Sequence, residues 1–152
     1  MNYYDINISL QEVPGEVSLS FTITGCSLKC KGCHSTYLWK ESNGTNLPMS
    51  LFKDYLKKYD GYISCVLFMG GEWHKGELAE RLSLAQEYGL NTCLYTGEDD
   101  VDDEIKQHLT WLKTGNWNKD LGGLKNKGTN QRFVEVKSQK KLNFLFADSL
   151  PS

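Results

Sequence analysis

Three cysteines lie close together in the segment 25–39, whose sequence is GCSLKCKGCHSTYLW. Cys26, Cys30 and Cys33 follow one another at intervals of four and three residues, at the end of an alternating apolar run. Three thiolates this close, on a loop that leaves a strand, can ligate three irons of a 4Fe-4S cluster. Because fully ligated clusters of this type take four cysteines, the spacing predicts a cluster with one iron open to another ligand.

The same cysteines allow two other interpretations. A disulfide would leave one of the three unpaired, and structural disulfides suit secreted chains, of which the sequence carries no sign. A structural zinc site needs four ligands, and His34 could supply the fourth. Adjacent residues such as Cys33 and His34 rarely both reach one metal, so zinc or inert thiols are less favoured than a cluster.

Length and composition predict a single domain over residues 1–152. The chain is 39% hydrophobic and 12% aromatic, which suits a globular domain with its own core. Its 17 basic and 19 acidic residues give a net charge of -2, so we expect no nucleic-acid partner. With no apolar run long enough for a bilayer and no signal segment at the start, we expect no membrane association. Five cysteines in such a chain favour a reducing compartment, and hence a cytoplasmic protein.

Alternating strand and helix patterns predict an α/β fold with a mostly parallel sheet. Residues 2–17 are expected to form an irregular arm, and residues 18–24 a strand that delivers the cysteine loop. The other predicted elements are a helix between Pro48 and Gly61, a strand at 62–69, a helix at 75–88, a strand at 91–96, a helix at 101–109 and a short strand at 133–136. Residues 114–131 are rich in glycine and lysine and lack periodicity, which is typical of a functional or disordered loop.

A second motif, Met69-Gly70-Gly71-Glu72, follows the most apolar of the predicted strands. Ligands collect at the carboxyl ends of strands in parallel α/β folds, and two glycines let the backbone approach a ligand closely. An ordinary turn between strand and helix would explain this motif taken alone. Its place one strand after the cysteine loop favours a binding role.

The Cys-x3-Cys-x2-Cys spacing after a strand resembles the signature of the radical S-adenosylmethionine enzymes. The sequence GCSLKCKGCH is similar, more narrowly, to the activating proteins of the anaerobic ribonucleotide reductases. Gly32 stands where many members of the superfamily have an aromatic residue, and the reductase activators commonly carry glycine there. The strands are too few for a complete eight-stranded barrel, and the resemblance implies a trimmed partial (β/α) barrel, open on one side.

This resemblance implies an oxidoreductase that activates the anaerobic reductase by installing a glycyl radical. The reaction would cleave S-adenosylmethionine reductively at the cluster to a 5′-deoxyadenosyl radical, with no catalytic side chain beyond the cluster and cofactor. The implied partners are the anaerobic ribonucleotide reductase as protein substrate and a flavodoxin-like electron donor, and a homodimer is left open. The alternatives are a compact radical S-adenosylmethionine enzyme for a small molecule and a zinc-binding interaction module.

The resemblance also assigns roles to individual residues. Cys26, Cys30 and Cys33 would ligate the cluster. The residues expected at S-adenosylmethionine are Gly32, His34, Gly70, Gly71, Glu72 and Thr96. Glu72 would receive the amino group of the cofactor, because an ammonium suits a carboxylate and backbone carbonyls.

Two further segments are similar to parts of the reductase activators. Asn130, Gln131 and Arg132 resemble a segment near the end of those proteins and are expected to contact the reductase or shape the open side of the site. In the N-terminal arm, either Glu12 or Glu16 would take the place of an acidic residue near the cofactor. By contrast, the two cysteines inside apolar strands, Cys65 and Cys93, are expected to be core residues.

Overall fold

A computed structural model describes residues 1–26 and 36–146 of the chain. Within them, eight strands form one sheet in the order β3-β1-β2-β4-β5-β6-β7-β8. The strands are β1 (Asn2–Ser9), β2 (Ser18–Ile23), β3 (Thr45–Asn46), β4 (Cys65–Met69), β5 (Asn91–Tyr95), β6 (Trp111–Thr114), β7 (Arg132–Glu135) and β8 (Lys140–Lys141). The α-helices are α1 (Met49–Lys58), α2 (Lys75–Glu87) and α3 (Asp103–Lys106), and short 3-10 helices occur at Thr36–Trp39, Glu41–Asn43 and Asn143–Phe146. None of the helices in these two ranges is both long and apolar enough to cross a bilayer.

The sheet is parallel in its centre and antiparallel at both ends. Strands β2, β4, β5 and β6 form three parallel pairings, whereas β1, β3, β7 and β8 contribute four antiparallel ones. The α/β class is therefore confirmed, but the prediction of a mostly parallel sheet is wrong. Parallel pairing needs a crossover, and helices connect only the central strands. The long connection from β6 to β7 contains no helix, and the chain returns antiparallel.

The N-terminal segment begins as a strand, and the prediction of an irregular arm over residues 2–17 is wrong for its first half. β1 pairs with β2, and the register shifts between Tyr3 and Asp5. This irregularity lies before the alternating run at 5–9, so only five residues of β1 keep the period of two that marks a strand. The remainder of the arm, residues 10–17, has no regular structure.

Most other elements lie near their predicted positions, with one exception after β5. The predicted helix at 101–109 shrinks to α3, whose start is capped by the Asp102 side chain accepting a hydrogen bond from the Glu104 N–H at 2.9 Å. The chain then enters β6, a strand that begins at Trp111 and that the sequence pattern did not predict. Residues 115–131 contain neither helix nor strand, as predicted.

The two faces of the sheet are covered differently. On the helix-covered face, the Phe21 ring packs against Phe52 and Phe68, with both pairs of ring centroids 5.2 Å apart. The opposite face is covered by the N-terminal arm and by the segment after β6. Its core consists of Val13, Cys65, Leu67, Cys93 and Phe133. The two cysteines in that list are fully buried core residues, as expected.

Candidate functional site

The cysteine loop leaves the carboxyl end of β2 and is closed at its base by backbone hydrogen bonds. The N–H groups of Gly25 and Cys26 both donate to the Leu38 carbonyl, at 2.7 and 3.1 Å. Because Leu38 lies in the 3-10 helix that follows the loop, these bonds hold the two flanks of segment 27–35 together. The other predicted residues of this segment lie outside the described residues: Cys30, Gly32, Cys33 and His34.

The second motif lies directly beside the start of this loop. Strand β4 runs parallel to β2, and Thr22 pairs with Met69. Gly70, the residue after β4, therefore lies level with the end of β2. A Cβ atom added to Gly70 would lie 3.5 Å from the Ile23 carbonyl oxygen. Two motifs far apart in sequence therefore meet at the carboxyl edge of neighbouring strands, which is where ligands bind in parallel α/β folds.

The indole of Trp73 packs against both motifs. A Cβ atom on Gly70 would lie 2.8 Å from Cη2 of Trp73, and one on Gly25 would lie 3.0 Å from its Nε1. Both glycines also have positive φ angles, 85° and 103°, which L side chains rarely adopt. The glycines therefore provide both the backbone conformation and the space that the indole occupies. The sequence patterns did not indicate Trp73 as a site residue. Its position directly after Glu72 was the one feature of the sequence that could have pointed to it.

Glu72 is partly buried beside Thr96. Burial raises the pKa of the Glu72 carboxyl above its ordinary value, and hydrogen bonds from the Thr96 hydroxyl and the Glu72 backbone N–H oppose that shift. Thr96 is held here because it follows β5, whose last carbonyl, on Tyr95, accepts a hydrogen bond from the Gly70 N–H at 2.8 Å. A cation bound beside this carboxyl would favour its ionised form and offset the effect of burial.

A row of side chains lies just inside the same edge, in register across five strands. It consists of Thr22, Met69, Tyr95, Lys113 and Phe133. The Lys113 Nζ lies 4.9 Å from the centroid of the Tyr95 ring, a cation–π contact. Burial lowers the pKa of the Lys113 ammonium, and the charge of Glu12 opposes that shift.

Of the two acidic candidates in the arm, Glu12 and Glu16, only Glu12 lies at this row. The Tyr95 hydroxyl donates a hydrogen bond to the Glu12 carbonyl. Glu16 instead accepts a hydrogen bond from the Asn91 side chain at 2.7 Å, and Asn91 is the first residue of β5. Because parallel strands end at the same edge, Glu16 lies at the amino edge of the sheet, opposite the candidate site.

The Asn-Gln-Arg segment also reaches the carboxyl edge, through β6. A Cβ atom on Gly115, which follows β6, would lie 3.0 Å from both the Asn130 carbonyl oxygen and the Gln131 Cα. Gln131 is buried, whereas Arg132 is exposed and pairs in register with Thr114. Arg132 lines a pocket of about 550 Å³ together with Asp99, Asp103 and other residues. Gln131, one of the three residues predicted to contact the partner, is therefore buried within the domain and contributes to its stability.

The described part of the predicted site thus gathers at one edge of the sheet. The residues found there are Cys26, Gly70, Gly71, Glu72, Thr96 and the segment 130–132. Two buried indole N–H groups, of Trp39 and Trp73, have no acceptor among the described residues. A cysteine with the Trp73 donor at the residue before it fits an iron–sulfur cluster, whose sulfur atoms accept hydrogen bonds.

Comparison with known protein families gives a match that covers most of the chain. Residues 13–136 match the model of a family described as 4Fe-4S single cluster domain. The matched region contains the cysteine loop, the parallel centre of the sheet and the segment that leads into β7. A search of curated proteins finds no significant match.

Proposed function

Because this chain belongs to the family of 4Fe-4S single cluster domains, we propose that it is a radical S-adenosylmethionine enzyme that activates an anaerobic ribonucleotide reductase. Membership of the family implies iron–sulfur binding, and the activity is what we propose beyond it. One observation supports that activity. The start of the cysteine loop, at Gly25 and Cys26, meets Gly70–Glu72 at the carboxyl edge of β2 and β4, where one ligand can contact both.

The cysteine loop would hold the cluster through Cys26, Cys30 and Cys33. The bonds from Gly25 and Cys26 to the Leu38 carbonyl fix the start of the loop at the sheet edge. With three protein thiolates, one iron is left for the cofactor. When bound, the cluster and S-adenosylmethionine supply radical chemistry by one-electron reduction, and the chain supplies binding and orientation.

The segment Gly70–Glu72 would bind the amino group of S-adenosylmethionine. Glu72 supplies a carboxylate that Thr96 orients through its hydroxyl. Gly70 and Gly71 present backbone without side chains, which allows a ligand to approach the chain closely. An ammonium beside Glu72 offsets the cost of ionising a partly buried carboxyl, so cofactor binding and ionisation favour each other.

Charge distribution supports a protein as the substrate. Residues 114–146 contain seven lysines and arginines against two acidic residues, although the whole chain has a net charge of -2. A pocket of about 230 Å³ in this region is lined by Leu124, Lys125, Asn126, Lys127, Lys141, Asn143 and Phe144. Its three lysines and exposed Phe144 suit an acidic segment with an apolar side chain. We assign this basic pocket to the reductase.

The position of the basic pocket also favours the reductase over an electron donor as its occupant. The pocket contains Lys141 of β8 and adjoins β7 through Asn143, whose side chain donates to the Gln131 carbonyl at 2.9 Å and accepts from the Phe133 N–H at 2.8 Å. Three strands separate β7 from β2, so about 19 Å of sheet lies between the pocket and the cysteine loop. A substrate loop can span that distance, whereas an electron donor has to approach the cluster itself.

Two remaining parts of the proposal rest on the resemblance: a flavodoxin-like electron donor and a trimmed partial barrel. The single domain over 1–152 rests on length and composition, and the cytoplasmic location on the five cysteines. A homodimer is one compatible assembly. The other candidate of the same class is a compact radical S-adenosylmethionine enzyme for a small molecule, which would not need the basic pocket.

Anaerobic reconstitution tests the proposal. The chain is loaded with iron and sulfide, reduced, and mixed with S-adenosylmethionine and the anaerobic reductase of the same cell. We expect a glycine-centred signal on the reductase in electron paramagnetic resonance, and methionine release that depends strongly on the reductase. Cofactor cleavage without any radical on the reductase would reject the activase and favour the small-molecule enzyme. A protein that holds zinc and no iron would reject both.

A further inference from the structure

Trp73 carries a buried hydrogen-bond donor that the described residues leave without an acceptor. Its Nε1 is inaccessible to solvent and makes no hydrogen bond with residues 1–26 or 36–146. Nearly all buried polar groups in native proteins have a partner, so a donor of this kind requires an explanation. Trp39 has a similar donor, but the place of Trp73 is defined by contacts at two positions.

The contacts of the indole show where the donor lies. Its Cη2 edge packs at Gly70 and its Nε1 lies against Gly25, the residue before Cys26. The N–H groups of Gly25 and Cys26 already share the Leu38 carbonyl, so that oxygen has accepted two hydrogen bonds. The indole donor is therefore held at the start of the cysteine loop, next to a cysteine expected to be a cluster ligand.

We propose that the indole N–H of Trp73 donates a hydrogen bond to a sulfur atom of the iron–sulfur centre and thereby tunes its reduction potential. Hydrogen bonds to the sulfurs are among the features that set the potentials of such clusters. Reduction adds negative charge to the cluster, so a donor stabilises the reduced form more and raises the potential. The inference rests on the cluster part of the proposed function and not on S-adenosylmethionine or the reductase.

The experiment is a redox titration of the cluster-loaded full chain, without S-adenosylmethionine, followed by visible absorption and electron paramagnetic resonance. The variants are Trp73→Phe and the replacement of Trp73 by β-(3-benzothienyl)alanine, which keeps the bicyclic shape but has no N–H. We expect both to lower the potential, with a several-fold smaller ratio of reduced to oxidised cluster at a fixed applied potential. A tenfold change corresponds to about 59 mV for one electron.

Trp111→Phe is the matched control, because Trp111 lies on β6 and packs with Phe133 on the face of the sheet opposite the helices. We expect its titration to coincide with that of the unaltered protein. If the benzothienyl variant keeps its iron and also keeps the original potential, the hydrogen bond is absent and the inference is rejected. Loss of iron in that variant would assign the N–H to cluster retention and likewise overturn the tuning role. If the unaltered chain never acquires iron, the proposed function is rejected, and this inference with it.

Discussion

The indole nitrogen of Trp73 lies 3.0 Å from the position that a Cβ atom on Gly25 would occupy. This contact links the start of the cysteine loop to the residue that follows Gly70–Glu72. A side chain at position 25 or 70 would displace the indole and, with it, the relation between the two motifs. The candidate site therefore depends on packing contacts as well as on its ligands.

Gly70→Ala should destabilise the protein more than Gly61→Ala. The two glycines have nearly equal φ angles, 85° and 84°, but a Cβ atom on Gly61 meets nothing within 4 Å. We expect Gly61→Ala to cost about 1–2 kcal/mol of unfolding free energy from backbone strain alone. Gly70→Ala should cost about 1–3 kcal/mol more, because the indole of Trp73 must move. Denaturant unfolding of the apoprotein measures both, and equal losses would show that the contact with Trp73 has little effect.

Alanine at Cys26, Cys30 or Cys33 should abolish cluster assembly. Each substitution removes one of the three thiolates that we propose as the cluster ligands, so iron and sulfide content after anaerobic reconstitution should fall to background. The matched controls are Cys65→Ala and Cys93→Ala, which should retain iron and lose only packing energy. A requirement for either core cysteine would contradict the assignment of three ligands.

The two core thiols should also resist alkylation in the native protein. Burial raises the pKa of Cys65 to about 12 and that of Cys93 well above its ordinary value, so neither forms a thiolate at neutral pH. We expect iodoacetamide to label them only in unfolded molecules, so the labelling rate should increase with denaturant concentration. Mass spectrometry of digested samples measures the labelling, and rapid modification under native conditions would disagree with this burial.

Glu72→Gln should weaken S-adenosylmethionine binding while the cluster is retained. Loss of a charge-assisted hydrogen bond costs about 1.5–3 kcal/mol, measurable by calorimetry on the cluster-loaded protein. Glu80→Gln, on the exposed surface of α2, provides a matched control. Unchanged affinity in Glu72→Gln would remove this residue from the site.

The same substitution should change how stability depends on pH. Because the pKa of Glu72 is raised in the folded state, that state binds the proton more tightly than the unfolded chain does. The contribution of Glu72 to stability is therefore present below the unfolded pKa and is lost as pH rises through the folded pKa. We expect the apoprotein of Glu72→Gln to lose less unfolding free energy than the unaltered protein as pH rises from below the unfolded pKa of Glu72 to above its folded pKa. Parallel curves of unfolding free energy against pH would contradict this.

Charge reversal in the basic pocket should weaken docking of the reductase. Lys125→Glu with Lys127→Glu should reduce reductase-dependent methionine release and its association rate, most strongly at low salt. Lys53→Glu with Lys57→Glu makes the same charge change on α1 and should have a smaller effect. Iron content should stay normal in all four substitutions. Equal effects from the two pairs would indicate general electrostatics instead of a local docking site.

Arg132→Ala tests the third predicted partner contact. Arg132 is exposed at the carboxyl edge, so its removal should lower coupling to the reductase more than it lowers cluster content. Gln131→Ala is expected to behave differently, because Gln131 is buried and its side chain lies at the Gly115 carbonyl. Its main effect should be a loss of unfolding free energy. A fully retained coupling in Arg132→Ala would exclude that arginine from the interface.

Local patterns in the sequence were sufficient for much of the fold. The helix after Pro48 and the strand before the cysteine loop were predicted because each repeats apolar residues at its own period. The N-terminal strand was missed because the register shift between Tyr3 and Asp5 leaves only the five residues 5–9 with an alternating pattern. The mixed sheet was missed because strand direction depends on the connection after β6, and residues 115–131 carry no periodic signal.

The sequence by itself determined the chemistry that the chain can offer: three closely spaced thiols, a Gly-Gly-Glu turn after an apolar strand, and a basic C-terminal region. These are properties of neighbouring residues, and spacing along the chain is enough to reveal them. Only the tertiary structure decided which distant residues share an edge. It placed Glu12 at the site and Glu16 at the opposite edge, and it brought the Trp73 indole against Gly25. Such relations arise from strand order and side-chain packing, which join residues that no local pattern connects.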